Sequence, residues 1–355
     1  MDKSKRIFII TDIGYNPVKM FLDQMHKLHK GFMRLGHDAR IFSYRKALLY
    51  RNPIKSKTFS KYFFKSKADN LLIEQIRNYK PDIIYVSFAR CLDVETIEKA
   101  RVTAPNAVFI GIDADPWPKL YPNKIKIAQK LDILTATNDG EFLQDYREAG
   151  VKLCVFMPNM CDPDIDHHYE VGSEWKTDIL WTGTAKHSAG SGQTLREELV
   201  KRLVQRSNCS LYGCYGRPQI GGINYLYAIS GARIGVNINA YSSVRMCHSD
   251  RLTNYISCGT FVLANRFTDC DLLFKDGEHL KYFDTVEEFF ELADWYLKNE
   301  TERKKIADAG MHWAHKQFNC VKIAGHILEL MEKGTYSAHW LDGTPESYKK
   351  QIKHS

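Results

Sequence analysis

Nowhere in the 355 residues does an uninterrupted apolar run approach the roughly 18 positions needed to cross a bilayer. The opening MDKSKRIFIITD carries only four apolar residues in a row before Asp12, so neither a membrane span nor a leader is expected. Paired Cys-x-x-Cys or suitably spaced His is missing, which argues against a zinc site. No Gly-Lys-Ser/Thr follows a glycine-rich turn, which disfavours a phosphate-loop nucleotidase. The first strand runs into T-D-I-G-Y-N-P instead of G-x-G-x-x-G, which disfavours a nicotinamide-dependent oxidoreductase. The nine cysteines are odd in number and several lie inside apolar runs, so they read as small buried residues in a reducing compartment. There is no internal repeat and no low-complexity tract.

What is present reads as a folded globular chain, 44% hydrophobic and 26% charged, with a length that suits two domains. Apolar strands alternate with helical periodicity throughout. The first half gives strands at RIFIITDI, DARIFSY, DIIYVSF, AVFIGIDAD, ILTATND and KLCVFMP; the second gives TDILWTGT, CSLYGCYG, RIGVNIN and TFVLANR, then largely helices to Met331. Strand–helix alternation of this kind predicts α/β domains with doubly wound parallel sheets and binding edges at the strand carboxyl ends. The expected division is a first Rossmann-like domain at 1–160, a linker at 161–176 rich in Pro and acidic residues, a second Rossmann-like domain at 177–332 and a tail at 333–355, the two domains facing each other across a cleft.

The most informative stretch is H-S-D-R-L-T-N-Y-I-S-C-G-T-F-V-L-A-N at 248–265. Ser249 suits a helix N-cap and Gly259 the left-handed residue past its end. Helical spacing sets Leu252, Tyr255 and Ile256 on one face and Asp250, Arg251 and Asn254 on the other, which leaves the polar face free to meet a ligand. The stretch resembles the R-x-x-E-x-x-A-C-G-x-x-V-L signature of the group 1 glycosyltransferase superfamily, particularly its CgeB-like branch, with Arg251, Cys258, Gly259, Val262 and Leu263 matching. D-G-E-H-L-K-Y-F-D (276–284), T-V-E-E-F (285–289), E-R-K-K-I-A-D-A-G (302–310), Y-R-E-A-G-V (146–151) and P-N-M-C-D-P (158–163) extend the likeness over roughly 130–320.

The resemblance implies a GT-B architecture and transfer of a sugar from a nucleotide-sugar donor, a UDP- or GDP-sugar, held by the second half. The implied acceptor is a glycan, lipid-linked or other hydroxyl held by the first half. The family's usual Glu, which would hold the donor ribose, is replaced by Asn254, an amide that can still bond a hydroxyl but has no charge. That substitution gives the rival reading, a non-catalytic scaffold of the same fold, its best support. No tightly bound cofactor and no metal are expected, since no acidic pair sits where a donor phosphate would lie.

Negative charge developing on a leaving diphosphate is stabilised by Arg, Lys, backbone amides and helix N-termini. The donor candidates are Arg251 and Lys186 for the diphosphate, Asn254 for the ribose, Gly183, Thr184 and Gly213 for close backbone approach, and also Gly14, Arg217, Arg245 and His248. In the first half, I-D-A-D-P-W-P closes a buried strand with two carboxylates, and either Asp113 or Asp115 is the candidate base for the acceptor hydroxyl.

The net charge of +8 comes wholly from one segment, Arg45 to Lys67, whose cations are Arg45, Lys46, Arg51, Lys55, Lys57, Lys61, Lys65 and Lys67, interleaved with aromatic and aliphatic residues. Cations among apolar side chains suit an anionic membrane surface or an acidic acceptor. Nucleic acid is disfavoured, because the rest of the chain adds no positive excess. A cytoplasmic protein, peripheral at the inner membrane face, is the resulting expectation.

Overall fold

The structure, a computed structural model, describes residues 3–13, 23–50, 64–88, 92–114, 121–186 and 193–341. Gly14, Asp115, Arg51, Lys55, Lys57 and Lys61 lie outside the described residues. The chain divides into two compact units. The first gathers Met1–Tyr15, Met25–Pro158 and Val321–Ser355, and the second is chiefly Asn159–Cys320.

The first unit is built on a six-stranded parallel sheet: β1 (Arg6–Thr11), β2 (Asp38–Ser43), β3 (Ile83–Ser87), β4 (Val108–Asp113), β5 (Ile133–Ala136) and β6 (Cys154–Phe156), in the order β2-β1-β3-β4-β5-β6. Its inner strands are continuous apolar runs because helices cover both faces, and four of the five residues of β3 are buried. The connecting helices are α1 (Gln24–Arg34), α2 (Tyr44–Leu49), α3 (Lys65–Tyr79), α4 (Val94–Thr103), α5 (Pro122–Ala128) and α6 (Glu141–Glu148). α4 starts where Asp93 accepts from the Thr96 amide at 3.1 Å, an N-cap bond, and α3 ends at left-handed Lys80.

One cation of the basic segment is not available to a membrane. Lys65 turns inward, its ammonium 2.7 Å from Asp69 and 3.1 Å from Asp93. Asp69 also accepts from the Tyr44 hydroxyl at 2.5 Å and from Thr96 at 2.9 Å, so the group pins α2, α3 and α4 together. Burying Asp69 without these partners would be costly, which is why a segment expected to face outward supplies a cation to the interior. Lys67 is exposed, with its ammonium 5.7 Å from the Phe64 ring centroid, and Arg45 and Lys46 on α2 are half-buried.

The second unit has a five-stranded parallel sheet in the order β11-β10-β9-β7-β8, from β7 (Thr177–Thr182), β8 (Cys209–Tyr212), β9 (Ala232–Asn237), β10 (Phe261–Asn265) and β11 (Lys281–Phe283). Its helices are α7 (Gln193–Gln205), α8 (Ile223–Ser230), α9 (Asp250–Ser257), α10 (Val286–Lys298) and α11 (Glu300–Gln317). β11 spans three residues, too short for any periodicity to mark it in the sequence. α11 approaches the turn before β11 so closely that a Cβ on Gly310 would stand 2.2 Å from the His279 carbonyl oxygen.

The last helix, α12 (Cys320–Lys333), and the residues after it depart from the division expected from the sequence. From Val321 the chain packs with the first unit. In the described part of the expected tail, 333–341, two aromatic side chains are core: Trp340 is fully buried, its indole donates to the Tyr336 hydroxyl at 3.0 Å, and that hydroxyl donates to the Phe156 carbonyl at 2.5 Å. Two large aromatic rings at 336 and 340 need apolar cover, and the edge of β6 supplies it. Among the described residues no cysteine is in a disulfide and all but the half-buried Cys209 are buried. No described helix is long and apolar enough to cross a membrane.

Candidate functional site

At the carboxyl ends of β7 and β9, three backbone features converge on one side chain. β7 ends at Thr182 and passes into Gly183, whose φ of +132° only glycine adopts readily. A Cβ at Gly183 would lie 2.8 Å from the Arg251 guanidinium, and a Cβ at Gly213, past the end of β8, would touch Gly183 at 3.4 Å. Arg251, in the first turn of α9, donates from Nη1 to the Thr182 carbonyl at 2.6 Å, from Nη2 to the Ile238 carbonyl at 3.0 Å, and from Nε to Asn237 at 3.2 Å. Its guanidinium carbon sits 4.5 Å from the centroid of the buried Trp181 ring. Arg251 therefore ties two strand ends together, which its place in a helix start does not disclose.

A second arginine shares this position. Arg196 of α7 is 6% exposed, donates to the same Ile238 carbonyl at 2.6 Å, and lies 5.7 Å from the Trp181 ring centroid. Among the described residues its Nε has no partner, and neither guanidinium pairs with a carboxylate. Burial first, and then the charge of Arg251, push the Arg196 pKa down to about 10. Arg196 is not among the residues expected from the sequence, yet a signal was there. It occupies the apolar stripe of its helix, three, four and seven positions before the buried Leu199, Val200 and Leu203. A cation on that stripe is uncommon unless it has partners in the interior.

Beside the pair runs a ladder of amides. The Asn237 side chain accepts from the Ser249 hydroxyl at 2.9 Å and donates to the Asn239 side chain at 3.0 Å. Asn239 in turn accepts from the Ser249 backbone amide at 3.1 Å, and its own backbone N–H donates to Asn265, at the end of β10, at 2.8 Å. Among the described residues the Nδ2 of Asn239 has no partner. Ser249 holds the N-cap position expected of it, but its hydroxyl goes to Asn237 and not to the helix. Gly259 is left-handed, φ +74°, as its place past α9 requires. The face of α9 opposite Leu252 is less open than expected: Asp250 is exposed and Arg251 half-buried, but Asn254 is only 4% exposed. The neighbours of a short helix cover more than one stripe of it.

The remaining candidates separate clearly. Thr184 is exposed, and Lys186 has 81% of its side chain exposed, 3.9 Å from Glu197. Arg217 is exposed in the turn after β8, and Arg245 is held by Asp269 at 2.5 Å. In the first unit Asp113, at the end of β4, is 1% exposed, with its carboxylate engaged by Lys124 at 2.6 Å and by the Tyr146 hydroxyl at 2.8 Å.

His248 is buried between Phe267 and Phe274, with one ring nitrogen 3.2 Å from the Met246 carbonyl and the other 3.3 Å from Thr253. Burial pushes its pKa down to about 4, so the ring is neutral at physiological pH and unsuited to carrying charge to a substrate. Because the folded pKa lies below the ordinary 6.5, the stability this histidine contributes is complete above pH 6.5 and is lost as pH falls toward 4. Urea unfolding at pH 7 and at pH 4.5 should show a loss of up to about 3 kcal/mol from His248. The variant His248→Gln is expected to lose less over that interval; an unchanged pH dependence would refute the assignment.

Residues 191–329 match the family model described as glycosyl transferase-like, a span that contains Arg196, Arg251 and the amide ladder. Among solved structures, a glycosyltransferase from Rickettsia africae is 14% identical with a TM-score of 0.60, covering 99% of this chain and 100% of its own. HepE from Anabaena in complex with UDP-glucose is 12% identical at a TM-score of 0.59, covering 92% of this chain and 99% of its own. Sucrose-phosphate synthase from Thermosynechococcus elongatus is 11% identical at 0.61, covering 92% and 98%. Similarity at these identities defines the fold, which is the GT-B type with two Rossmann-like units. No curated protein matches the chain in sequence.

Proposed function

We propose that the protein is a glycosyltransferase of the CgeB-like branch, moving a sugar from a UDP- or GDP-sugar to a hydroxyl of a glycan, lipid-linked or other acceptor. The observation that carries this reading is the pair of guanidinium groups, Arg196 and Arg251, gathered on the Ile238 carbonyl without a carboxylate partner among the described residues. Two unneutralised cations side by side are unfavourable alone and are relieved by a bound anion, and a diphosphate leaving group is such an anion. The family match over 191–329 supports the same class, and HepE, similar in fold, has been crystallised with UDP-glucose. In this reading Arg196 and Arg251 face the diphosphate, Asn254 and the amide ladder lie toward the ribose, and Gly183 and Gly213 keep the backbone close. Lys186, Thr184, Arg217 and Gly14 are secondary contacts. Of the two candidate bases, Asp115 is preferred, because Asp113 is committed to Lys124 and Tyr146. Reversible attachment to an anionic membrane is assigned to Arg45, Lys46, Lys67 and the cations outside the described residues, beside Tyr50, which is 82% exposed.

The test is thermal unfolding with UDP, GDP, ADP, CMP and TDP and their sugar conjugates. A ligand at 100 times its dissociation constant adds about 2.7 kcal/mol. One nucleotide family is expected to raise Tm, and Arg196→Met to weaken that nucleotide at least roughly tenfold, as loss of one charge-assisted contact implies. Turnover separates an enzyme from a scaffold: a scaffold binds the nucleotide sugar without releasing nucleotide when an acceptor is supplied. No Tm shift with any nucleotide would end the donor assignment.

A further inference from the structure

A cavity of about 600 Å³ opens in the second unit at the amino ends of β7, β9 and β10, the opposite sheet edge from the guanidinium pair. Its volume lies in the range of small-molecule sites, roughly 300 to 1,000 Å³. Four cations line it, Lys176, Arg233, Arg303 and Lys304, against three acids, Glu170, Asp178 and Glu300, a balance of one positive charge by 4 − 3.

The pairing within the cavity is uneven. Arg233 is neutralised by Asp178 at 2.8 Å and also donates to the Leu297 carbonyl at 2.6 Å. Glu300 is taken by Lys304 at 2.7 Å. Arg303 is left with the Tyr296 carbonyl at 3.0 Å and with Glu300 only at 3.9 Å, although it is 5% exposed. Burial, and then the neighbouring charge of Arg233, lower its pKa. A buried guanidinium beside a second guanidinium, with its nearest carboxylate already paired elsewhere, favours an anion. Other lining residues differ in chemistry. Tyr169, stacked on His167 at 4.2 Å between centroids, contributes an aromatic ring, and Asn208 and Ser230 contribute an amide and a hydroxyl, the hydroxyl already accepting from the Tyr169 backbone N–H at 3.1 Å and the amide bonded to Asp178.

We propose that this cavity is a second small-molecule site that takes a phosphorylated sugar, its phosphate toward Arg303, Lys176 and Lys304 and its hydroxyl-bearing ring toward Tyr169, Asn208 and Ser230. The assignment is independent of the transferase reading, since it uses none of the residues at the strand carboxyl ends. The probe is glucose 6-phosphate, titrated calorimetrically into the full chain in the presence of excess UDP, with glucose as the uncharged control. Wild type is expected to bind glucose 6-phosphate in the submillimolar range and glucose far more weakly. Arg303→Gln removes the buried cation but also the bond to Tyr296, so the decisive variant is Lys176→Glu with Lys304→Glu, both on the rim. That double variant is expected to lose roughly tenfold or more in affinity. Absence of binding, equal affinity in wild type and the rim variant, or glucose binding as tightly as its phosphate would each overturn the proposal. UDP binding in the same samples reports on the guanidinium pair separately.

Discussion

Arg251→Ala should lower sugar transfer by about two to three orders of magnitude, the usual effect of removing one preorganised donor from developing charge. The loss should appear in kcat as well as in nucleotide affinity. The same substitution should cost about 3 kcal/mol of stability, because hydrogen bonds from a charged donor to Thr182, Ile238 and Asn237 are lost together. Activity must therefore be compared at a temperature where circular dichroism shows the variant folded. Arg251→Lys keeps the charge, but an ammonium cannot span three acceptors on two strands, so it should restore part of the nucleotide affinity and little of the stability. Full activity in the alanine variant would remove Arg251 from the site and leave it a purely structural clamp.

Gly310→Ala should be strongly damaging to the second unit. The new methyl group would meet the His279 carbonyl oxygen at 2.2 Å and its carbon at 3.2 Å, both backbone atoms that cannot rotate away, with the Ile256 side chain at 3.2 Å behind them. Either α11 moves off the sheet or the turn before β11 does. Overpacking of that kind costs about 3 kcal/mol or more, a fall in Tm of about 6 to 12 °C for a protein of this size. Gly325→Ala is the matched control: it lies within α12 with nothing inside 4 Å of the added carbon. Helix propensity predicts that this variant is neutral or stabilised by up to about 1 kcal/mol. Equal Tm values for the two variants would show that space, as opposed to propensity, does not govern Gly310.

Much of this architecture was legible in the sequence because parallel strands covered on both faces must be continuous apolar runs. Ile83–Ser87 and Phe261–Asn265 carry that signal plainly. α9 was equally plain, since Gly259 marks its end by a backbone conformation other residues rarely adopt. What was not legible depends on partners distant in the chain. The inward turn of Lys65 is decided partly by Asp93, which only folding brings near. The burial of Asn254 is decided by elements that pack over a short helix. Arg251 could be picked out by its motif, but its grip on Thr182 and Ile238 could not, because those acceptors are backbone carbonyls and leave no mark in side-chain identity. Arg196 was readable in principle as a cation on an apolar stripe, and only its convergence with Arg251 gives that oddity a meaning.

The return of the chain to the first unit after Cys320 bears on how the protein is made. A sheet whose six strands are complete by Phe156 still lacks the rings of Tyr336 and Trp340 that cover the Phe156 edge. During synthesis the amino-terminal half must wait, incompletely sealed, while the whole second unit is translated, whereas the second unit has nearly all its residues in one continuous stretch and can fold as soon as it emerges. The order of folding on the ribosome is thus the reverse of the order of the strands in the sequence, and a chain cut at 320 should yield a sound second unit attached to an unsealed first one.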